Sequence, residues 1–185
     1  MSQVLVILAH PQLQRSRVNR AMFNAIQNLS GVAIHDIYEM YPDYYIDLSH
    51  EKVAMTAAHT IILQHPFQWY SCPSLMKEWI DVVLQKGWAY GPNGTALQGK
   101  RLLNAISTGG SIEAYRPDGR NRFTMTELMK PYDQTAHHCG MSFMEPFVFY
   151  SALTADQKDI DSHAQAYRDL VQKLATPPNG DTSHK

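Results

Sequence analysis

The sequence predicts an α/β protein built on a parallel sheet that helices cover on both faces. Apolar runs of strand length alternate with helical patterns five times along the chain, which is the order that parallel sheets produce. The runs at residues 4–9 and 61–63 are apolar throughout, as strands buried on both faces are. With five strands, we predict the order 2-1-3-4-5 and a three-layer sandwich.

Each element has signals that begin or end it. Strands are predicted at residues 4–9, 32–37, 60–64, 101–107 and within 143–150. Helices are predicted after Ser16 and at residues 49–58, 74–86, 123–139, with a break near Pro131, and 156–174. Prolines follow the first and third strands, and Gly31 closes the first helix. This is the flavodoxin-like fold class in a single domain, residues 1–176, followed by a tail, 177–185, that we predict to be disordered.

The composition excludes several classes of protein. Lysine and arginine number 16 against 17 acidic residues in 185, which disfavours both a nucleic-acid binder and a strongly acidic electron carrier. Cys72 and Cys139 form no C-x-x-C pair, which favours a reducing compartment. The sequence shows neither a signal peptide nor an apolar run of about 20 residues that would span a membrane. We therefore expect a cytoplasmic protein.

An aromatic loop follows the third strand. Phe67, Trp69 and Tyr70 lie between Pro66, which ends the strand, and Pro73, which suits the first turn of the next helix. The carboxyl end of a strand in an open α/β sheet is where a flat ligand binds. The loop is therefore a candidate ligand wall, and the alternative is that its rings only pack beneath the sheet.

Three loops are predicted to converge at the switch point of the sheet, after the first, third and fourth strands. They span residues 10–19, 66–70 and 107–110. The first leads into a helix through Ser16, where free N–H groups and the helix dipole favour a phosphate, and His10 with Arg15 or Arg17 adds charge. The chain lacks both G-x-G-x-x-G and G-K-[ST]. One phosphate site, aromatic planes and a glycine turn together favour a flavin.

Each of these signals also has a purely structural interpretation. Ser16 is a credible helix cap, His10 a loop histidine, and Gly109-Gly110 an ordinary turn. The run His137-His138-Cys139 offers metal-ligand types, but adjacent helical residues point about 100° apart. We therefore predict no metal site there.

The chain resembles the NAD(P)H:quinone oxidoreductase family, and within it the bacterial ancillary subunits of glutathione-gated potassium efflux systems. The matching motifs run in order along the sequence: A-H-P at 9–11, Y-P-D-Y-Y-I-D at 41–47, Q-H-P-F-Q-W-Y at 64–70, K-E-W-I-D at 77–81, G-W-A-Y-G at 87–91 and S-T-G-G at 107–110.

The resemblance implies a cofactor, FMN or FAD, and a homodimer with the flavin near its interface. The implied flavin contacts are His10, Ser16, Arg17, Val18, Asn19, Pro66, Phe67, Gln68, Trp69, Ser107, Thr108, Gly109 and Gly110. It also implies that Tyr115, five residues after the turn, is catalytic. Family members carry a histidine six residues later, where this chain has Asn121.

The resemblance further implies a ping-pong reaction, in which NAD(P)H gives a hydride to the flavin and a quinone then takes two electrons together. It implies a partner as well, a membrane potassium–proton antiporter, and hence a peripheral position at the inner face of the cell membrane. Because of Asn121, the alternative is a regulatory antiporter-binding subunit whose flavin does little catalysis. A one-electron flavodoxin carrier is a third hypothesis, which the near-neutral charge disfavours.

Overall fold

A computed structural model describes residues 3–176, so the prediction for the tail lies outside the described residues. The sheet is parallel and has the predicted order, β2-β1-β3-β4-β5, with β6 also paired to β4. Its strands are β1 Val4–Leu8, β2 Val32–Asp36, β3 Thr60–Pro66, β4 Arg101–Ser107, β5 Ser142–Phe143 and β6 Phe147–Phe149.

The last strand position is occupied by two short strands rather than by the single one predicted. Phe143 pairs with Leu102, and Phe147 pairs with Ala105. The outer segment therefore advances four residues over the length in which β4 advances three. The surplus residue makes a bulge, and Pro146 lies within it without an N–H group to donate. The interruption therefore follows from a proline at the edge of the sheet.

Seven α-helices complete the described chain: α1 Val18–Ile26, α2 Ile37–Met40, α3 Leu48–Ala57, α4 Ser74–Val83, α5 Met125–Leu128, α6 Lys130–His138 and α7 Gln157–Ala175. The predicted break near Pro131 falls at Met129, between α5 and α6, and Pro131 lies in the first turn of α6, where its missing N–H costs nothing. The helix predicted at 74–86 ends earlier, at Val83.

The sheet separates two apolar cores. Val4 and Val6 face α1 and α7, whereas Leu5 and Ile7 face the opposite layer, which contains α4 and α6. All five residues of β1 are buried, because successive side chains alternate between two covered faces. The layers hold the carboxyl ends of β1, β3 and β4 side by side.

A buried glutamate connects the outer strand to two helices. Glu51, in α3, is fully buried, and its carboxylate accepts hydrogen bonds from the Tyr41 hydroxyl at 2.7 Å, from Trp79 Nε1 at 2.9 Å and from His35 Nδ1 at 2.9 Å. Burial alone raises the pKa of Glu51, but these hydrogen bonds outweigh it and hold the pKa below its ordinary value of 4.5. The carboxylate is therefore charged and provided with donors in the folded protein.

We predict that Glu51→Gln lowers the free energy of unfolding by about 3 kcal/mol at pH 7, because it removes the charge that three buried donors share. Denaturant unfolding measures this, with Glu78→Gln, at an exposed position on α4, as the matched control. Since folding lowers the pKa of Glu51, its contribution is present above about pH 4.5 and is lost as the pH falls below that value. Equal stabilities of wild type and Glu51→Gln at pH 7 would contradict this account.

Candidate functional site

A cavity of about 410 Å³ opens at the carboxyl ends of β1, β3 and β4. The three loops predicted to converge all contribute to it, together with a fourth segment that follows β6. The lining residues are His10, Gln12, Arg15, Ser16, Arg17, Val18, Pro66, Phe67, Ser107, Thr108, Gly109, Ala152 and Leu153.

The start of α1 gives one end of the cavity an anion-binding character. Arg15, Ser16 and Arg17 line it, and the N–H groups of the first helical turn have no partner within the helix. Ser16 Oγ accepts a hydrogen bond from the Asn19 N–H at 3.1 Å, so Ser16 does cap the helix. None of the described residues that line the cavity is acidic. This end therefore favours a ligand with negative charge.

His10 presents a defined hydrogen-bonding face. Its Nδ1 accepts the Gln12 N–H at 3.1 Å, so the neutral ring carries its proton on Nε2. Burial lowers the pKa of His10, which keeps the ring neutral at pH 7. His10 thus offers an N–H donor and adds no fixed charge.

The glycine turn allows close approach of two neighbouring side chains. A Cβ added to Gly109 would lie 3.1 Å from Leu153 Cδ1, and one added to Gly110 would lie 2.9 Å from Tyr115 Cε2. Gly110 is therefore needed for space beside the buried Tyr115 ring, whereas the exposed Leu153 side chain can shift by the few tenths of an ångström that a Cβ at Gly109 would require. Gly109 lines the cavity, whereas Gly110 packs against Tyr115 behind it.

Tyr115 is linked to the cavity by a hydrogen bond between two hydroxyl groups. It is buried and does not itself line the cavity, but its hydroxyl lies 2.5 Å from Oγ1 of Thr108, which does. Its ring lies beside Phe67, with centroids 6.3 Å apart. Asn121, where the resemblance led us to expect a histidine, accepts a hydrogen bond through Oδ1 from the Tyr70 hydroxyl at 3.3 Å.

The aromatic loop divides between the cavity and the surface. Phe67 lines the cavity, but Trp69 is 93% exposed and Tyr70 51% exposed. Both occupy the centre of a tight turn with positive φ, 49° and 62°, a region that costs a non-glycine residue of the order of 1 kcal/mol. The interpretation that the rings only pack beneath the sheet is therefore wrong for Trp69, because the turn holds its side chain at the surface.

Four of the predicted contact residues are not among the lining residues. Gln68, Trp69 and Gly110 lie outside the lining, and Asn19 is buried behind it. Conversely, the cavity is also lined by Ala152 and Leu153, which lie outside the three loops predicted to form the site. Their segment is fixed by hydrogen bonds from the Ala152 N–H to the Thr108 carbonyl and from Arg17 Nη1 to the Ala155 carbonyl, both 2.9 Å. No sequence motif marks this segment.

The strand order and the position of the cavity define a class of protein. The chain matches a family model described as a flavodoxin-like fold over residues 2–171. It belongs to this flavodoxin-like family. Among the described residues, no helix is both long and apolar enough to cross a membrane.

Named relatives extend over nearly the whole chain. It is 42% identical over 175 residues to the glutathione-regulated potassium-efflux system ancillary protein KefG of Pectobacterium carotovorum subsp. carotovorum. The matched region covers 95% of this chain and 94% of the relative. The solved structure of general stress protein 14 from Treponema denticola, in complex with FMN, is 32% identical with a TM-score of 0.89, covering 93% of this chain and 99% of that one. The solved structure of an NADPH-quinone reductase from P. pentosaceus is 30% identical with a TM-score of 0.84, and the match covers 96% of this chain and 99% of that one.

We predict that Ser16→Ala lowers the free energy of unfolding by about 1 kcal/mol, because the Asn19 N–H loses its cap. Ser16→Asp is the matched control, since aspartate is an equally good cap and should keep the stability near that of the wild type. Denaturant unfolding of the ligand-free protein compares the three. Loss of stability in both variants would show that capping is not the structural role of Ser16.

Proposed function

We propose that this protein is a flavin-dependent NAD(P)H:quinone oxidoreductase that binds FMN in the cavity at the ends of β1, β3 and β4. The observation that carries the proposal is the character of that cavity. Arg15, Arg17 and the start of α1 lie at one end, Phe67 and the Gly109 turn line it elsewhere, and no described lining residue is acidic. The FMN complex and the quinone reductase among its solved relatives support the same conclusion.

The residues present fit a flavin mononucleotide. Its phosphate requires cationic side chains and free N–H groups, which the stretch from Arg15 to Val18 supplies. Its ring system requires an apolar plane and hydrogen-bond donors, which Phe67, His10 and the 108–110 turn supply. A cavity of about 410 Å³ lies within the range of 300–1,000 Å³ typical of small-ligand sites. FMN is preferred to FAD because the solved relative holds FMN.

When bound, FMN would supply two-electron redox chemistry, by which NAD(P)H and then a quinone react in turn at the same pocket. The protein's share is orientation, exclusion of water and control of protons. The Tyr115 hydroxyl holds a proton beside Thr108 Oγ1 at the cavity wall. Asn121 has no titratable proton, so we assign proton handling to Tyr115, and we assign to the neutral His10 ring the role of a hydrogen-bond donor through its Nε2–H.

We propose a homodimer for this enzyme. Trp69 and Tyr70 are exposed in a strained turn next to Phe67, and the Phe67 and Tyr70 ring centroids are 6.3 Å apart. A second copy covering this turn would bury both aromatic side chains and extend the wall of the cavity. Backbone strain kept on an exposed aromatic turn supports a functional contact at this place.

The test of the enzyme is flavin content followed by turnover. We expect purified protein to be yellow, to release FMN identified by mass, and to oxidise NADPH only when a quinone is added. Tyr115→Phe should keep its FMN but turn over at least tenfold more slowly, because it loses the proton-holding hydroxyl. Tyr90→Phe, a tyrosine packed on His138 and outside the cavity lining, is the matched control and should behave as wild type. Protein that takes up neither FMN nor FAD would contradict the proposal.

A second candidate function is activation of a potassium–proton antiporter at the inner face of the membrane. The observation that favours it is the 42% identity, over 95% of the chain, to a potassium-efflux ancillary protein. In this role the fold acts as a binding module, and flavin turnover is secondary.

Potassium efflux from antiporter proteoliposomes, with and without the protein, tests this second function. We expect faster efflux with wild type, and equal activation by Tyr115→Phe, because that substitution affects turnover and leaves the surface unchanged. An efflux rate that does not respond to wild-type protein would exclude antiporter activation. Activation lost in Tyr115→Phe would show that the two functions are not separate.

A further inference from the structure

We infer that a buried hydrogen-bond relay, from Tyr167 through Gln64 and Asn19, positions Ser107 as a hydrogen-bond donor to the ligand in the cavity. This inference rests on the proposed flavin site and assigns a role to residues that do not touch the ligand. Asn19, Gln64 and Tyr167 are positioning residues, and Ser107 is the member that lines the cavity.

The relay runs through four elements and passes through Asn19 covalently, from its backbone carbonyl to its side-chain amide. The Tyr167 hydroxyl, in α7, donates to Gln64 Oε1 in β3 at 3.1 Å. Gln64 Nε2 donates to the backbone carbonyl of Asn19 in α1 at 3.1 Å. Asn19 Nδ2 then donates to Ser107 Oγ, at the end of β4, at 2.8 Å.

All four residues of the relay are buried. Tyr167 and Gln64 are 0% exposed, Asn19 is 1% exposed and Ser107 6% exposed, so water does not compete for their polar atoms. The Asn19 carbonyl can only accept, which requires the amide nitrogen of Gln64 and turns Gln64 Oε1 toward Tyr167. Burial also raises the pKa of Tyr167, so its hydroxyl stays protonated and able to donate.

The direction of the relay decides what Ser107 offers to the cavity. A serine hydroxyl has one proton and two acceptor lone pairs, and Ser107 Oγ already accepts from Asn19 Nδ2. Its own proton is therefore available for an acceptor atom of the ligand. If the relay is broken at Tyr167, Gln64 is no longer held toward the Asn19 carbonyl, and the backbone that carries the Asn19 amide to Ser107 loses a buried anchor.

The chain contains a matched control for the first residue of the relay. Tyr132 is also a buried tyrosine, at 7% exposure, but it belongs to the core on the other face of the sheet, and its hydroxyl makes no hydrogen bond to any member of the relay. Tyr167→Phe and Tyr132→Phe each remove one buried hydroxyl and change little in volume. Only the first removes a member of the relay.

The test is the dissociation constant of FMN for ligand-free protein, measured by quenching of flavin fluorescence. We expect Tyr167→Phe to weaken FMN binding about threefold to tenfold, the effect of one net hydrogen bond, and Tyr132→Phe to leave it unchanged. Ser107→Ala should weaken it at least as much. In the Ser107→Ala background, Tyr167→Phe should have no further effect, because the donor that it positions is absent.

Three results would overturn the inference. An unchanged dissociation constant in Tyr167→Phe would remove the role of the relay while leaving the flavin site intact. An equal loss from Tyr167→Phe with and without Ser107 would show a general structural effect and no positioning of Ser107. Wild-type protein that binds no FMN would overturn the proposed function itself, and the relay's role with it.

Discussion

The parallel pairing of β1, β3 and β4 is the constraint on which the rest of the structure depends. These strands are nearly completely buried, and their registers place Leu8 beside Gln64, and Pro66 beside Ser107. Because parallel strands all end at one edge, three segments distant in sequence meet there. The cavity, the start of α1 and the glycine turn are consequences of this pairing.

The two faces of the sheet carry different polar networks within their apolar cores. On one side Glu51 connects β2, α3 and α4, and its donors His35, Tyr41 and Trp79 are not among the cavity-lining residues. On the other, Gln64 connects α7 to α1, and Asn19 of α1 donates to Ser107, which does line the cavity. A fully buried polar group is tolerated only when its partners are fixed, so both networks restrict the packing of their layer. The first stabilises the fold, and we propose that the second serves the site.

The strand order and the convergence of three loops could be predicted because alternating apolar runs and end signals are local features of the sequence. The same signals identified His10, Ser16, Phe67 and Gly109 as cavity residues. Ala152 and Leu153 could not be predicted, since their place depends on how the bulge at Pro146 ends the sheet. The outward position of Trp69 was also beyond sequence patterns, because it depends on a left-handed backbone in a tight turn.

We propose that the function of this protein depends on FMN bound in the cavity at the ends of β1, β3 and β4. A crystal structure of the protein with added FMN tests it most directly. We expect the phosphate at the stretch from Arg15 to Val18, and the ring system against Phe67 and the Gly109 turn. Flavin bound at any other surface, or a cavity left empty at saturating FMN, would contradict it.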